Sequence, residues 1–176
     1  MFLDETGFVQ RPPIRSTWAP KGEPPVVREP FNWQHLSGIG AVRCTGEGKK
    51  PRWFLSIRRG NIRAVHVARF LDSLRRHVRK KVILLMDRWA VHRSRIVARA
   101  LERNRSWLTV EWLPSYAPEY NGTEYLWAYL DQTDLANTPA ENLGRLRRQA
   151  MRGVGRLCRK VRTGEGVLGR CPLFGG

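Results

Sequence analysis

The alternation of apolar and polar positions divides the chain into a strand-rich first part and a second part in which helices alternate with strands. Met1-Phe2-Leu3 runs into Asp4 and reads as the last few residues of a strand, short against the usual five or six, so the first strand reads as truncated. Prolines at 12–13 and 24–25 bracket a short strand at residues 16–18, because proline is kept out of central ladders. Residues 33–44 and 52–57 form two antiparallel strands around a Gly-rich turn. A helix over residues 62–78 follows, with Asn61 as its cap and Ile62, Val65, Phe70, Leu71, Leu74 and Val78 near helical spacing. The run Val82-Ile83-Leu84-Leu85-Met86 predicts a strand buried on both faces, and it stops at Asp87. A helix over 94–103 and a strand over 108–112 come next, then a Pro-punctuated loop feeding a helix whose first turn carries Glu124. Thr138-Pro139-Ala140-Glu141 combines a cap, a first-turn proline and a capping-box acid. It opens a last amphipathic helix through Leu143, Leu146, Ala150, Met151, Val154 and Leu157. This order predicts a layered α/β domain over residues 1–160 and a loose, basic, Gly-rich tail over 161–176.

Composition narrows the class of partner. The chain has 176 residues, enough for one domain with a sizeable core. No apolar run approaches the roughly 18 residues that cross a bilayer, and no leader precedes Asp4, so the expected location is the cytoplasm, with no membrane partner. Thirty-two Lys and Arg against fifteen Asp and Glu give a formal charge of +17, which predicts a polyanion as partner. Most of these cations are Arg, whose planar fork binds two phosphate oxygens at once. Seven of them, Arg145, Arg147, Arg148, Arg152, Arg156, Arg159 and Lys160, make the polar face of the last helix. Cys44, Cys158 and Cys171 are odd in number and lack His at ligand spacing, which argues against a disulfide framework and a zinc site.

Two acids then point to chemistry. A carboxylate at the end of a buried strand needs hydrogen bonds, a cation or a metal to compensate it, and strand ends of α/β sheets are where sites collect. Plainer readings exist for both. Asp87 can pair with Arg88 or Arg93, and Asn121-x-x-Glu124 fits a capping box. On residue pattern alone these alternatives stay open.

The motifs Met86-Asp87-Arg-Trp-Ala-Val-His92-Arg-Ser and Trp112-Leu-Pro-Ser-Tyr-Ala-Pro-Glu-Tyr-Asn121-Gly-Thr-Glu124-Tyr-Leu-Trp127 resemble the core of the DDE transposases of bacterial insertion sequences, in the mariner-related, six-thirty branch. Asp4-Glu5-Thr-Gly-Phe8 resembles the first acidic motif of that family, and Ser16-Thr-Trp-Ala-Pro-Lys-Gly22 the segment after it. The resemblance spans residues 1 to about 130.

It implies a ribonuclease H-like, retroviral integrase-type mixed sheet flanked by helices. It also implies a metal-dependent enzyme that cuts and joins DNA strands at element ends. Asp4, Asp87 and Glu124 are carried over as the catalytic, metal-binding acids, holding two Mg²⁺ or Mn²⁺ ions, which prefer carboxylate oxygens. The neighbouring Glu5 competes with Asp4, and Glu119, Asp131 and Asp134 compete with Glu124; the resemblance decides for Asp4 and Glu124. His92, Asn121 and Glu5 are auxiliary candidates, with a helix-start hydrogen bond the plainer role for His92. Arg58, Arg59, Arg75, Arg76, Arg93, Arg147 and Arg148 are candidate DNA contacts. His35, His66 and His77 read as surface or core residues, and Trp89, Trp107, Trp112 and Trp127 as core residues rather than base-stacking platforms. Gly122 stands where the family has Pro, and is expected to loosen the loop that aims Glu124. The expected partners are element ends and target duplex, with the chain as a homodimer and an upstream helix-turn-helix polypeptide reading the ends. The rival readings are a nuclease of the same fold without strand joining, and an inert remnant that only binds nucleic acid.

Overall fold

The computed structural model describes residues 1–28, 34–45, 50–115, 117–162 and 171–173. The expected start of the second strand at Trp33, the turn at 46–49, Tyr116 and most of the tail lie outside the described residues. The elements are β1 (Phe2–Val9), β2 (His35–Arg43), β3 (Arg52–Arg59), α1 (Ala64–Leu74), β4 (Val82–Met86), α2 (Arg95–Asn104), β5 (Leu108–Trp112), α3 (Glu124–Gln132) and α4 (Leu143–Arg162). They build one mixed sheet in the order β3-β2-β1-β4-β5. The first three strands are antiparallel, and β1, β4 and β5 run parallel. The expected ribonuclease H-like arrangement of a mixed sheet flanked by helices is therefore present.

Several boundaries differ from the sequence pattern. The opening strand does not end at Asp4 but continues to Val9, paired with β2 from Phe2↔Val42 to Val9↔His35. Glu5-Thr6-Gly7 break its apolar run, yet the almost wholly buried β2 beside it supplies the ladder, so tertiary pairing overrides local preference. Residues 16–18 form no strand, because β1 already has β2 on one side and β4 on the other. That segment is instead held by two 2.8 Å bonds between the backbone of Arg15 and the side chain of Asn137, and Trp18 is fully exposed. Asn61 does not cap α1, which starts at Ala64; its Oδ1 accepts from His35 Nε2 at 3.0 Å. At the start of α1 the Arg63 amide donates to His66 Nδ1. The expected helix over 94–103 is α2, and Ser94 is its cap, accepting from the Val97 amide. The cap of α4 is Asn142, whose Oδ1 accepts from the Arg145 amide at 2.9 Å, whereas Thr138 turns its hydroxyl to the Ala136 carbonyl.

The pleat sends alternate strand residues to two separate cores. Leu3, Ile39, Ala41, Leu84 and Met86 pack against α1 and α2 through Val67, Leu71, Val97 and Ala100. Phe8, Leu36 and Ile57 pack on the other face against α3 and α4 through Leu126, Leu130, Leu146 and Leu157. Each fully buried leucine among these contributes roughly 1.5–3 kcal/mol. The expectation that β4 is buried on both faces is corrected by Ile83, which is 57% exposed: α3 and α4 cover β1 to β3 and leave this end of the second face open. Among the described residues no helix is long and apolar enough to cross a membrane.

Candidate active site

Register brings the first two acids together. Phe2 of β1 lies opposite Leu85 of the parallel β4, so two residues on, Asp4 comes level with Asp87, the first residue past β4. Glu124 is the first residue of α3, where its charge also suits the positive end of the helix. Asp4, Asp87 and Glu124 border one cavity of about 530 Å³, together with Arg88, Trp89 and Asn121. A second cavity of about 520 Å³ shares Asp4 and Asp87 and is bordered by Glu5 and Asn61.

The capping-box reading of Glu124 is not what the loop builds. Asn121 is buried and accepts at Oδ1 from the Thr123 amide, 3.1 Å away, while Thr123 is the cap residue and makes no side-chain cap bond. Asn121 thus sets the turn that delivers Glu124. Gly122 tightens this loop rather than loosening it. A Cβ there would stand 2.8 Å from Cδ2 of the buried Phe2 ring, so the loop sits against β1 at a distance only glycine permits.

Asp4 has a partner that sequence reasoning assigned to the core. Trp127 Nε1 donates to Asp4 Oδ2 at 3.2 Å. The indole reaches Asp4 across β2, where the residue directly opposite Asp4 is Gly40; a Cβ on Gly40 would lie 2.5 Å from Trp127 Cη2. The available signal was Gly38 and Gly40 inside a predicted strand, since an interior glycine marks a close approach. Trp107 is buried as expected, but Trp89 and Trp112 are 41% and 37% exposed.

Charge is distributed unevenly over the acids. Burial pushes the Asp4 carboxyl up to about 7, a hydrogen bond from the Glu5 backbone opposes this, and the charge of Glu124 adds to it. Burial also raises Glu124, against a hydrogen bond shared with Asp4. Asp87 goes the other way, because the His92 ring donates to it and holds it ionised. His92 Nδ1 lies 2.6 Å from Asp87 Oδ1, and Nε2 lies 3.1 and 3.0 Å from the two oxygens of Glu5. Burial alone would lower the His92 pKa, but these two carboxylates outweigh it and raise it to about 10. Trp89 packs edge-on against the imidazole, centroids 5.5 Å apart, and its amide donates to Asp87 Oδ1 at 3.0 Å.

Among the described residues no three His, Cys, Asp or Glu side chains converge into a ready metal cage. Asp4 and Glu124 share a hydrogen bond, which needs a proton on one of them and accords with the raised pKa of both, whereas Asp87 turns to His92. The donor set nonetheless fits a hard divalent ion: three carboxylates border one cavity, and no Lys or Arg among the described residues forms an ion pair with Asp4 or Glu124. The competing acids lie elsewhere. Asp134 pairs with Arg156, Asp131 borders a different cavity with Arg11, and Glu119 does not border this one.

The arginines divide into two sets. Arg58 is tied to the Asn61 carbonyl and to His66, and Arg75 donates to the Val78 carbonyl and stacks over Trp107. Arg59, Arg76, Arg93, Arg147 and Arg148 are exposed. Arg148 joins Arg145, Arg152 and Arg156 along a concavity of about 490 Å³ on α4.

The sequence profile of the DDE superfamily endonucleases matches residues 1–147. The chain belongs to this family. Its fold is similar to that of the Mos1 transposase in the paired-end complex with the left transposon end, at a TM-score of 0.59 and 17% identity, over 99% of this chain and 56% of that one. The Mos1 strand transfer complex aligns at a TM-score of 0.56 and 16% identity, over 97% of this chain and 54% of that one. The catalytic domain of Mos1 mariner transposase aligns at 0.52 and 16% identity, over 96% of this chain and 80% of that domain. This DDE endonuclease chain thus spans a little over half the length of the transposase chains in those complexes. Comparison with curated protein sequences finds no match.

Proposed function

We propose that residues 1–160 are the catalytic domain of a DNA transposase, cutting phosphodiester bonds and joining strands at the ends of an insertion element, in the cytoplasm. The observation that carries this reading is the placement of Asp4, Asp87 and Glu124, from a central strand, the end of its parallel neighbour and the start of α3, around one cavity. Solved Mos1 structures include a paired-end complex with Mn and a catalytic domain with Mg, which supports a divalent cation here. When bound, two Mg²⁺ or Mn²⁺ ions supply charge neutralisation at the scissile phosphate and acidify the attacking water. Asp4, Asp87 and Glu124 would hold these ions through their carboxylate oxygens. His92 fixes Asp87, Asn121 fixes the turn before Glu124, and Trp127 fixes Asp4.

The DNA partner follows from charge. Helix α4 is 20 residues long, about 30 Å at 1.5 Å per residue, and its exposed face carries Arg147, Arg148 and Arg152 with no ion pair among the described residues. Such a face suits a duplex backbone. A homodimer working with an upstream helix-turn-helix polypeptide is the assembly this reading favours. The test is nicking and strand joining by the purified chain with Mg²⁺ or Mn²⁺. Asp87→Asn keeps the shape and loses the charge, so it should abolish both reactions while the chain still folds, with some loss of melting temperature because the buried His92 loses one of its two carboxylate partners. Undiminished nicking by the variant removes Asp87 from the site; nicking without joining from a precut end makes the chain a plain nuclease.

A further inference from the structure

Asp4 and Glu5 are neighbours in sequence but point to opposite faces of β1, and their surroundings differ accordingly. Asp4 meets Trp127 and Glu124, whereas Glu5 meets the His92 ring, which is 1% exposed. Both ring nitrogens of His92 face carboxylate oxygens, Nδ1 toward Asp87 and Nε2 toward Glu5. An ionised carboxylate only accepts, so both nitrogens donate. The edge-on Trp89 closes one side of the ring, and the Glu5 side chain is itself 10% exposed. Asp87 Oδ1 is therefore engaged twice, by His92 Nδ1 and by the Trp89 amide, while the Asp87 side chain remains half exposed at the cavity.

Resting on the proposed role of Asp87 as a metal ligand, we infer that Glu5 is not a ligand but the anchor of a brace, Glu5–His92–Asp87, which locks Oδ1 of Asp87 and presents Oδ2 to the cation. Glu5 and His92 are positioning residues: they touch neither DNA nor metal, and act by removing the rotational freedom of Asp87. Without Glu5, Nε2 loses its acceptor inside the protein, and the imidazole turns or changes tautomer to recover one. Asp87 then loses the partner that fixes its carboxylate plane. Hydrogen-bond partners behind metal-ligating groups typically govern about ten- to a hundredfold in metal affinity. The brace also gives a physical reason for two acids in succession at positions 4 and 5: one strand supplies a ligand to one face and the support of a second ligand to the other.

The test uses Mn²⁺ binding to the full chain in the absence of DNA, followed by electron paramagnetic resonance, with nicking as a second readout. Glu5→Ala should weaken Mn²⁺ binding by about tenfold or more. Glu5→Gln should keep most of the affinity, because its amide oxygen still accepts from Nε2. His92→Ala should lose as much as Glu5→Ala, and the double variant should lose no more than His92→Ala alone, since the two act in series. If Glu5→Gln loses as much as Glu5→Ala, Glu5 is itself a ligand and the brace is wrong. If both variants bind Mn²⁺ as the parent does, Glu5 supports only the fold and the brace is again wrong. Should Glu5→Ala fail to fold, Glu5→Gln and His92→Gln decide the matter by the same comparison. Unchanged Mn²⁺ binding by Asp87→Asn would instead remove the reading on which the brace rests.

Discussion

The two faces of the sheet carry different work, and the difference begins at adjacent residues of β1. The face toward α3 and α4 holds Asp4, Glu124 and Trp127 at its centre and the exposed arginines of α4 at its margin. The face toward α1 and α2 holds Glu5 and His92, buried above a continuous apolar core. On the first face, charge is left where a cation and a phosphate could reach it. On the second, the charge of Glu5 is mostly covered and its two oxygens lie against one imidazole nitrogen. Asp87 stands at the rim between them, pinned from one face and bordering the cavity of the other. On the proposed reading, one face would perform the chemistry and the other would hold Asp87 still.

The largest effect expected on the first face comes from Glu124→Gln. Support groups behind a metal ligand already govern about ten- to a hundredfold, so loss of a ligand itself should lower nicking by at least about a hundredfold. The melting temperature should change little, because Gln can keep the hydrogen bond to Asp4, no cap bond with Asn121 is lost, and the lost helix-end charge costs at most about 1 kcal/mol. A fall in melting temperature with activity retained would return Glu124 to a structural role.

A smaller effect comes from Gly40→Val. Its Cβ would fall 2.5 Å from the ring of Trp127, which is 6% exposed, and forced overpacking of this kind costs about 1–3 kcal/mol in denaturant unfolding. The same variant should displace the indole from Asp4 and weaken nicking. The third change sharpens the division between the faces. Removing Arg147, Arg148 and Arg152 together as alanines should leave stability unchanged and reduce the dependence of log affinity on log salt by about 0.9 for each phosphate that is no longer neutralised. An equivalent triple change on the opposite face, at Arg69, Arg76 and Arg99, should reduce it less.

Much of this is legible in the sequence because the elements after Asp87 are regular. The apolar run of β4, the helix over 94–103 and the strand at residues 108–112 follow from hydrophobic period alone. The three acids are legible through motif, not through pattern. What escapes is what depends on contacts across the sheet. The true length of β1 is hidden by Glu5-Thr6-Gly7, which read as a break until β2 is seen to pair with every residue of it. The bond from Trp127 to Asp4 joins residues 123 apart in the chain, and that from His92 to Glu5 residues 87 apart. Neither carries a local periodic signal. The role of Gly122 takes the opposite sign in the structure, since a glycine looks permissive in sequence and becomes a close-contact requirement only when Phe2 is placed against it.

Which carboxylates hold the cation is the central question, and anomalous diffraction from crystals of the chain grown with Mn²⁺ measures this directly. The predicted result is two peaks about 3.5 to 4 Å apart, held by Asp4, Asp87 Oδ2 and Glu124, with Glu5 still bonded to His92. Peaks at Glu5 or at the acids of the α3–α4 loop, with none at Asp87, would contradict it.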